Sequence, residues 1–322
     1  MKIFLKIILI GVGLIAVLLL ITFLYHTYQL RNEANKYPAP GKLVEIDNSK
    51  VHVYSEGDGD LTLVFMAGSG TSSPTIDFKP LWMKLKDDYR IVVVEKSGYG
   101  WSETSSNPRD IDTMLQETRK AIELSGEGEP YVLVPHSMSG LEAIYWARKY
   151  PEEIKAIVGL DPAIPDVYLN SSFKLPSKSQ LYAMYFISRI GISRFMGEEG
   201  LENNIPLLKS DVLSEEDKNQ LIAMFYKSTF TKNMLNEANY VKDNAKKVKK
   251  SGIPSNTPMY FFIAEGSNNS VIPNWDEILS AYLSNVDNSK YKLLDSEHYI
   301  HHEYSDFIAQ EIDIFLKEID NN

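Results

Sequence analysis

The chain has 322 residues, of which 44% are hydrophobic and 24% are charged, so it can bury a full-sized core and is neither intrinsically disordered nor a minimal disulfide-stapled domain. It contains no cysteine, which excludes disulfides, thiolate metal sites and a cysteine nucleophile. The formal net charge of −10 argues against nucleic acid as a partner, because binding nucleic acid requires a positive surface that neutralises phosphates.

The charge is unevenly divided between a basic N-terminal segment and an acidic body. Residues 1–37 carry four basic side chains and one acidic side chain, a net of +3, which leaves −13 for residues 38–322. Residues 7–25 form a run of 19 residues without charge. A helix of that length spans roughly 28 Å, which is close to the hydrocarbon thickness of a bilayer. The sequence therefore predicts an N-terminal transmembrane helix, followed by a short stiff spacer at 37–41.

A cleaved signal peptide is the main alternative for this segment, since it would share the basic start at Lys2 and Lys6. The apolar region of a signal peptide is usually about 7–15 residues long and precedes a cleavage site of small residues. The run here is longer and ends in bulky residues at 23–26. A buried core helix fits poorly, because the segment is apolar on every face. The basic start predicts a single-pass protein of the cell membrane whose body is extracytoplasmic.

From residue 42 onwards, the pattern predicts an α/β domain. Residues 42–46 and 51–55 flank a turn and predict an antiparallel hairpin. Short apolar runs predict buried strands at 61–66, 90–94, 131–134, 154–160, 259–264 and 291–294. Apolar residues at helical spacing, or a proline that ends the stretch, predict helices at 110–125, 138–150 and 304–316. Strands that alternate with helices indicate one mostly parallel sheet with helices on both faces.

The gap between the predicted strands at 154–160 and 259–264 is too long for a simple crossover connection. Its 98 residues contain helix-like stretches at 179–195, 214–227 and 233–250. We therefore expect an inserted helical cap at about 165–257 rather than a second independent domain. The chain accordingly divides into an anchor and spacer at 1–37 and a sheet domain with its cap at 38–322.

Residues 131–140 contain the most informative motif, in which a predicted strand ends, Ser137 occupies a tight turn and a helix begins at once. This arrangement exposes the serine hydroxyl above the sheet edge and directs the N–H groups of the helix N-terminus toward an adjacent oxyanion. Small residues are needed two positions before and two positions after the serine. Ser139 meets this need, whereas Pro135 departs from the usual glycine. A helix cap without chemistry is the alternative interpretation.

Four motifs in order carry a resemblance to a known family: AGSG at 67–70, SGYGWS at 97–102, HSMSG at 136–140 and EHYIHHE at 297–303. On these motifs, the chain resembles the α/β-hydrolase superfamily over most of its body. The resemblance implies the α/β-hydrolase fold, with a mostly parallel eight-stranded sheet. It also implies Ser137 as the nucleophile and His298 as the general base. The implied oxyanion hole consists of the backbone N–H groups of Ser69 and Met138.

The acid of the implied triad is the point at which the sequence departs from the family pattern. The usual position after the seventh strand falls on Asn269, whose amide can orient a histidine but cannot stabilise the imidazolium by charge. Asp161 follows the sixth strand and resembles the acid of pancreatic-type lipases. Neighbouring strand ends are about 5 Å apart, so Asp161 can reach His298. We therefore expect Asp161 to be the acid, although it is also placed to cap its turn. The alternatives left open are Glu265, Asn269, Asp276 and a site without an acid.

The expected function is hydrolysis of carboxylic esters, with a small-molecule ester or a lipid-like molecule as the substrate. Two alternatives remain: a proline-iminopeptidase-like aminopeptidase, and a non-catalytic hydrolase-like binding module, to which Pro135 and Asn269 point. The serine mechanism needs no cofactor. The histidines at 298–302 lack an opposed carboxylate pattern, so no metal is expected. The sequence makes no prediction of an oligomeric state.

Two further expectations concern side chains around the site. The aromatic and methionine residues at 182–186 and 224–226 are expected either to form the core of the cap or to line an apolar acyl pocket. His301 and His302 are expected to be solvated or to pack without a chemical role.

Overall fold

The computed structural model describes residues 2–265 and 272–321, and a sheet of eight strands lies at its centre. The strands are β1 (Lys42–Ile46), β2 (Ser49–Glu56), β3 (Thr62–Met66), β4 (Arg90–Glu95), β5 (Tyr131–Pro135), β6 (Ile154–Leu160), β7 (Met259–Ala264) and β8 (Ser289–Leu294). Their order in the sheet is β1-β2-β4-β3-β5-β6-β7-β8. The pairings of β2 with β1 and with β4 are antiparallel, and the others are parallel. The predicted mostly parallel sheet is confirmed.

Helices pack on both faces of this sheet. The α-helices of the described residues are α1 (Lys2–Lys36), α2 (Pro74–Asp77), α3 (Lys79–Trp82), α4 (Ile111–Ser125), α5 (Gly140–Lys149), α6 (Pro165–Leu169), α7 (Lys178–Ile190), α8 (Glu198–Asn204), α9 (Glu215–Ser228), α10 (Lys232–Ser251), α11 (Trp275–Leu283), α12 (Ile300–Glu303) and α13 (Ser305–Asp320). Successive side chains of a strand point to opposite faces. Alternate residues of β3 and β4 accordingly join two hydrophobic clusters, one built with α4, α5 and α11 and the other with α3 and α13.

Helices α6 to α10 lie between β6 and β7, and we refer to residues 165–257 as the cap segment. Part of this segment joins a third hydrophobic cluster, in which Leu207, Leu221 and Phe225 pack with Tyr37 and Trp101 from outside the segment. The residues at 224–226 are buried, as a cap core requires. The expectation is wrong for Tyr182 and Phe186, which are 63% and 60% exposed and so form neither core nor a closed pocket. Both lie on α7, which contacts α1 and α10 and leaves these two side chains uncovered.

Helix α1 continues well beyond the uncharged run and joins the folded body. Within the part of the chain that the structure describes, it is the helix that is long and apolar enough to cross a membrane. Its N-terminal residues are exposed, whereas Thr22 and His26 are buried against the rest of the protein. Further along the helix, the carboxylate of Glu33 forms a two-pronged ion pair with Arg194 of the cap segment, with both N–O distances at 2.6 Å. The second half of α1 therefore belongs to the packed structure.

The predicted spacer at 37–41 is also packed on the body. Tyr37 is buried, and its carbonyl accepts a hydrogen bond of 3.0 Å from the indole N–H of Trp101. The backbone N–H of Gly41 donates to Nε2 of His52 at 2.9 Å. The proline-rich composition predicts a stiff linker, and in the structure these contacts hold the linker against the body. Both ends of the connection between α1 and β1 are held in place.

Candidate active site

Ser137 occupies the turn between β5 and α5, with a φ of 53° in the left-handed region. A short 3₁₀ turn over Ser137–Ser139 leads directly into the helix. The backbones crowd together here, since a Cβ at Gly140 would lie 2.3 Å from the carbonyl oxygen of Ala163. Strain of this kind is tolerated where the surrounding structure fixes it, and it is typical of functional turns. The turn thus has the geometry of a nucleophile elbow.

The two departures from the usual elbow pattern are accommodated locally. Pro135 is the last residue of β5, and the next residue, His136, donates its backbone N–H to the carbonyl of Met66 at 2.9 Å. The pairing with β3 therefore continues past the proline. Ser139 is buried, and its hydroxyl lies 2.5 Å from the same Met66 carbonyl oxygen. The serine at this position therefore ties the start of α5 to the end of β3.

The loop at 67–70 lies directly against the elbow. A Cβ at Gly68 would lie 2.7 Å from the Cβ of Ser137, so only glycine allows this approach. The backbone of Ser69 follows at once, and Met138 follows Ser137 at the start of the 3₁₀ turn. The two residues predicted to form an oxyanion hole thus belong to segments in close contact. Their backbone N–H groups are the kind of donor that stabilises an oxyanion.

The structure brings His298 and Asp161 together. Nδ1 of His298 lies 2.6 Å from Oδ2 of Asp161. The carboxylate is fully buried, whereas the imidazole side chain is 27% exposed. Oδ1 of Asp161 accepts hydrogen bonds from the backbone N–H of Ala264 at 3.1 Å and from the indole N–H of Trp275 at 2.8 Å. Donors on both oxygens fix the carboxylate, which in turn orients the imidazole ring.

The other candidate acids are placed differently. Glu265 is exposed at the end of β7, and its backbone N–H donates to the carbonyl of Leu294 at 2.7 Å. Asp276 lies in the first turn of α11 and is only partly buried. Asn269 lies outside the described residues. The carboxylate in contact with His298 in the described structure is that of Asp161.

His136 supports the loop that carries His298. The centroids of the two imidazole rings are 4.6 Å apart, and Nε2 of His136 lies 3.1 Å from the backbone carbonyl oxygen of His298. Burial lowers the pKa of His136 well below its usual value, and the neighbouring imidazoles lower it further. A neutral His136 can donate its Nε2 proton to that carbonyl. No local pattern in the sequence indicates that His136 has this partner.

A second cluster lies beyond His298 and was missed in the sequence. Nε2 of His301 and Nε2 of His302 lie 2.9 and 3.1 Å from the two carboxylate oxygens of Asp77. His301 is completely buried, which lowers its pKa to about 4. The three side chains bring potential metal-ligand atoms within 4.8 Å of one another. Their separations are those of hydrogen bonds, so the cluster fits a structural role that fixes the start of α12 against α2.

A cavity of about 160 Å³ opens beside the loop at 67–70, between the sheet domain and the cap segment. Its lining combines polar groups of the sheet domain with apolar groups of the cap segment, and it includes Gly70, Ser72, Asp77, Leu207, Leu221, Phe225, Tyr299 and His302. Its lining thus includes Gly70 of the glycine loop and Tyr299, which directly follows His298 in the sequence. A cavity of about 150 Å³ is large enough to bind benzene in another protein.

Comparison with known proteins agrees with this fold. A family model described as alpha/beta hydrolase fold matches residues 68–191, which include the glycine loop, the elbow and Asp161. The uncharacterized protein YbdG of Bacillus subtilis (strain 168) is 37% identical over 261 residues, which cover 80% of this chain and 80% of that protein.

Solved structures show the same architecture. A putative lipase from Acinetobacter baumannii superimposes with a TM-score of 0.66 at 16% identity, covering 92% of this chain and 97% of that chain. A membrane phospholipase A superimposes with a TM-score of 0.63 at 15% identity, covering 100% of both chains. At these identities the similarity shows the fold alone. The sheet order, the elbow and the matching family model together establish that the chain belongs to the α/β-hydrolase family.

Proposed function

We propose that the protein is a membrane-anchored serine hydrolase that cleaves carboxylic esters through an acyl-enzyme at Ser137. The observation that carries this proposal is the contact of 2.6 Å between His298 and the buried Asp161. A buried carboxylate that orients a partly exposed histidine is the supporting half of a catalytic triad. The strained serine turn, close to the same edge of the sheet, supplies the other half.

The reaction follows from these roles. Nε2 of His298 accepts the proton of the Ser137 hydroxyl while the serine oxygen attacks the ester carbonyl carbon. The resulting oxyanion accepts hydrogen bonds from the N–H groups of Ser69 and Met138. The imidazolium, stabilised by Asp161, then gives its proton to the departing alkoxide, which leaves as an alcohol. Water, deprotonated by His298, then attacks the acyl carbonyl carbon. The bond from that carbon to Oγ of Ser137 breaks, the imidazolium returns its proton to the serine oxygen, and the carboxylic acid leaves.

We infer that the cavity beside the glycine loop binds part of the substrate. Its volume of about 160 Å³ suits a short acyl chain or a small ring. The apolar side chains of Leu207, Leu221 and Phe225 favour a hydrocarbon group over a charged one. These properties support a small or lipid-like ester as the substrate. The fold shared with a putative lipase and a membrane phospholipase A supports the same class.

The location follows from the basic start and the apolar run of α1. We propose that α1 anchors the protein in the cell membrane, with the N-terminus in the cytoplasm and the catalytic body outside. The burial of His26 and the ion pair of Glu33 support an uncleaved anchor. Cleavage near residue 26 would cut the helix at a point where it is packed against the body.

Labelling by an alkyl fluorophosphonate tests the proposed function. The full-length protein should be labelled at Ser137, because the reagent reacts with a serine that is activated by a base and lies beside an oxyanion hole. Ser137→Ala should abolish labelling, since it removes only the reacting oxygen. Ser69→Ala is the matched control and should keep it, because the proposed role of Ser69 uses the backbone N–H. Labelling that persists in Ser137→Ala, or no labelling of the native protein, would contradict the proposal.

A further inference from the structure

The cap segment carries a group of exposed apolar side chains within fifteen residues of the sequence. They are Tyr182, Phe186, Ile187, Ile192, Phe195 and Met196, and each is 38% to 66% exposed. We call this group the aromatic cap edge. Tyr182 and Phe186 lie four residues apart on α7 and therefore share one face of the helix. A soluble monomer rarely leaves many large apolar side chains exposed in one short segment.

The aromatic cap edge lies against the anchor helix. The ring centroid of Phe195 is 6.2 Å from that of Tyr25. The next residue before it, Arg194, donates its Nε–H to Nδ1 of His26 at 2.8 Å and pairs with Glu33. The turn that carries Phe195 is thus fixed to α1 by a hydrogen bond and an ion pair. The position of this turn along the axis of α1 is therefore fixed.

The turn that carries Phe195 lies beside the C-terminal end of the apolar run of α1. The strongly apolar stretch at 7–25 ends at Tyr25 and is followed by the polar residues His26, Thr27 and Gln29, so the boundary between hydrocarbon and headgroups falls close to Tyr25. Aromatic side chains are enriched at this boundary, because their rings prefer the depth of the headgroups. The basic residues Arg31 and Lys36 are exposed beyond Tyr25 on the same helix. They suit contact with lipid phosphates.

We propose that the aromatic cap edge is a second membrane contact, which lies in the headgroup layer beside α1. The occupant is a lipid surface rather than a second protein, since the group is continuous with the membrane helix at Tyr25 and Phe195. This inference rests on the anchoring proposed above and extends it to the cap.

Site-directed spin labelling provides the test, because the chain contains no cysteine that would compete for the label. Single variants Phe186→Cys and Phe195→Cys of the full-length protein are labelled with a nitroxide and reconstituted into phosphatidylglycerol–phosphatidylethanolamine vesicles. Collision with oxygen, which concentrates in lipid, is compared with collision with a water-soluble nickel complex. Leu14→Cys, within the apolar run, reports whether α1 is inserted. Tyr291→Cys is the matched control, since Tyr291 is 49% exposed on β8, at the sheet edge opposite β1.

Labels at 186 and 195 should give an oxygen-to-nickel ratio several-fold above that at 291 but below that at 14, as expected for the headgroup layer. A lipid-like ratio at 14 with water-like ratios at 186 and 195 would overturn the inference and leave the anchor intact. A water-like ratio at 14 would overturn the anchoring as well. Low collision with both reagents, together with dipolar broadening between labels, would show that a second copy of the chain covers the surface. Thermal unfolding of each variant checks that the fold is retained.

Discussion

Nδ1 of His298 and Oδ2 of Asp161 lie 2.6 Å apart, although 137 positions separate the two residues in the sequence. Asp161 stands at the end of β6 with a φ of 46°, a conformation that few non-glycine residues adopt. Its other carboxylate oxygen is held by the backbone of Ala264 and the indole of Trp275. The strained backbone of Asp161 and the hydrogen bonds to its Oδ1 together direct Oδ2 at Nδ1 of His298.

Replacement of this carboxylate is the first prediction. Asp161→Asn should lower the turnover of a short-chain aryl ester by about 10²–10⁴, because the amide no longer stabilises the imidazolium and favours the wrong tautomer of His298. Substrate affinity should change little, since the charge matters mainly in the transition state. Asp166→Asn, which changes an exposed aspartate in the same stretch, is the matched control and should retain activity.

Variants of Asn269 test the assignment of Asp161 as the acid of the triad. Asn269→Ala should cost less than about tenfold in turnover, while Asn269→Asp should partly restore the activity of Asp161→Asn if the new carboxylate reaches His298. Circular dichroism confirms that each variant is folded. Full activity of Asp161→Asn, with loss of activity in Glu265→Gln or Asn269→Ala, would assign the acid to the seventh strand instead.

The second prediction concerns the glycine that touches the serine turn. Gly68→Ala should lower turnover by about 10²-fold, because a displacement of the serine or of the oxyanion donors by about 1 Å has a cost of that order. The added methyl group would meet the Cβ of Ser137 at 2.7 Å. Gly128→Ala is the control, since a Cβ there meets nothing within 4 Å. Equal kinetics for the two variants would show that the loop does not set the position of the serine.

Most of the sheet could be predicted from the sequence, because each buried strand is a short apolar run between turn residues. The elbow was also predictable, since a serine between β5 and α5 is a local pattern. The support of Asp161 by Trp275 was not, because it depends on where a helix 114 positions later meets the sheet. Local patterns contain no information about such a meeting point.

The cap was harder to predict than the sheet. Helical spacing at 179–195 indicates an apolar face but not what covers it. The structure leaves Phe186 exposed and buries Phe225, although both belong to similar aromatic stretches. The difference depends on the position of α7 beside α1, which is fixed by the pairing of Arg194 with Glu33. The sequence around Arg194 does not indicate that its partner is Glu33 of the N-terminal helix.

The third prediction tests whether α1 is part of the folded body. Glu33→Gln should destabilise the detergent-solubilised protein by about 2 kcal/mol, because it leaves the largely buried Arg194 without its charged partner. Asn32→Gln, at an exposed neighbouring position, should have little effect. The measurement is thermal unfolding of the full-length chain. An unchanged melting temperature in Glu33→Gln would mean that the helix does not depend on this contact.

The same packing predicts that the N-terminal helix is not removed in the cell. Protein from the membrane fraction should have the mass of the full chain, and protease added to intact cells should release the body while α1 stays in the membrane. Recovery of a soluble form that begins near residue 26 would instead identify the segment as a signal peptide.

The fourth prediction concerns stability at mildly acidic pH. Burial holds the pKa of His301 at about 4 and that of His136 well below its usual value, so both are neutral in the folded protein. Below about pH 6.5 the unfolded chain binds protons at these positions and the folded protein does not, so stability falls as the pH falls. His301 contributes a loss of about 2 kcal/mol by pH 5, and His136 adds a loss in the same direction. Buried Glu142, whose raised pKa acts in the opposite direction, offsets part of this loss.

Denaturant unfolding at pH 7.5, 6.5 and 5 measures this effect. The free energy of unfolding should be nearly constant between the first two values and should drop at the third. The drop should be smaller in His301→Asn, because one of the buried neutral imidazoles is then absent. A free energy that is unchanged from pH 7.5 to pH 5 would contradict the neutral, buried state of these histidines.

The covalent intermediate provides the most direct test of the central claim. The full-length protein is mixed with a short-chain aryl ester, quenched in acid within the first turnovers and digested for mass spectrometry. We predict that the acyl group is found on the peptide that contains Ser137, that it forms and decays at rates no slower than turnover, and that it accumulates in Asp161→Asn if deacylation is the slower step. Turnover without any acyl group on Ser137, or an acyl group on a different residue, would contradict the proposed mechanism.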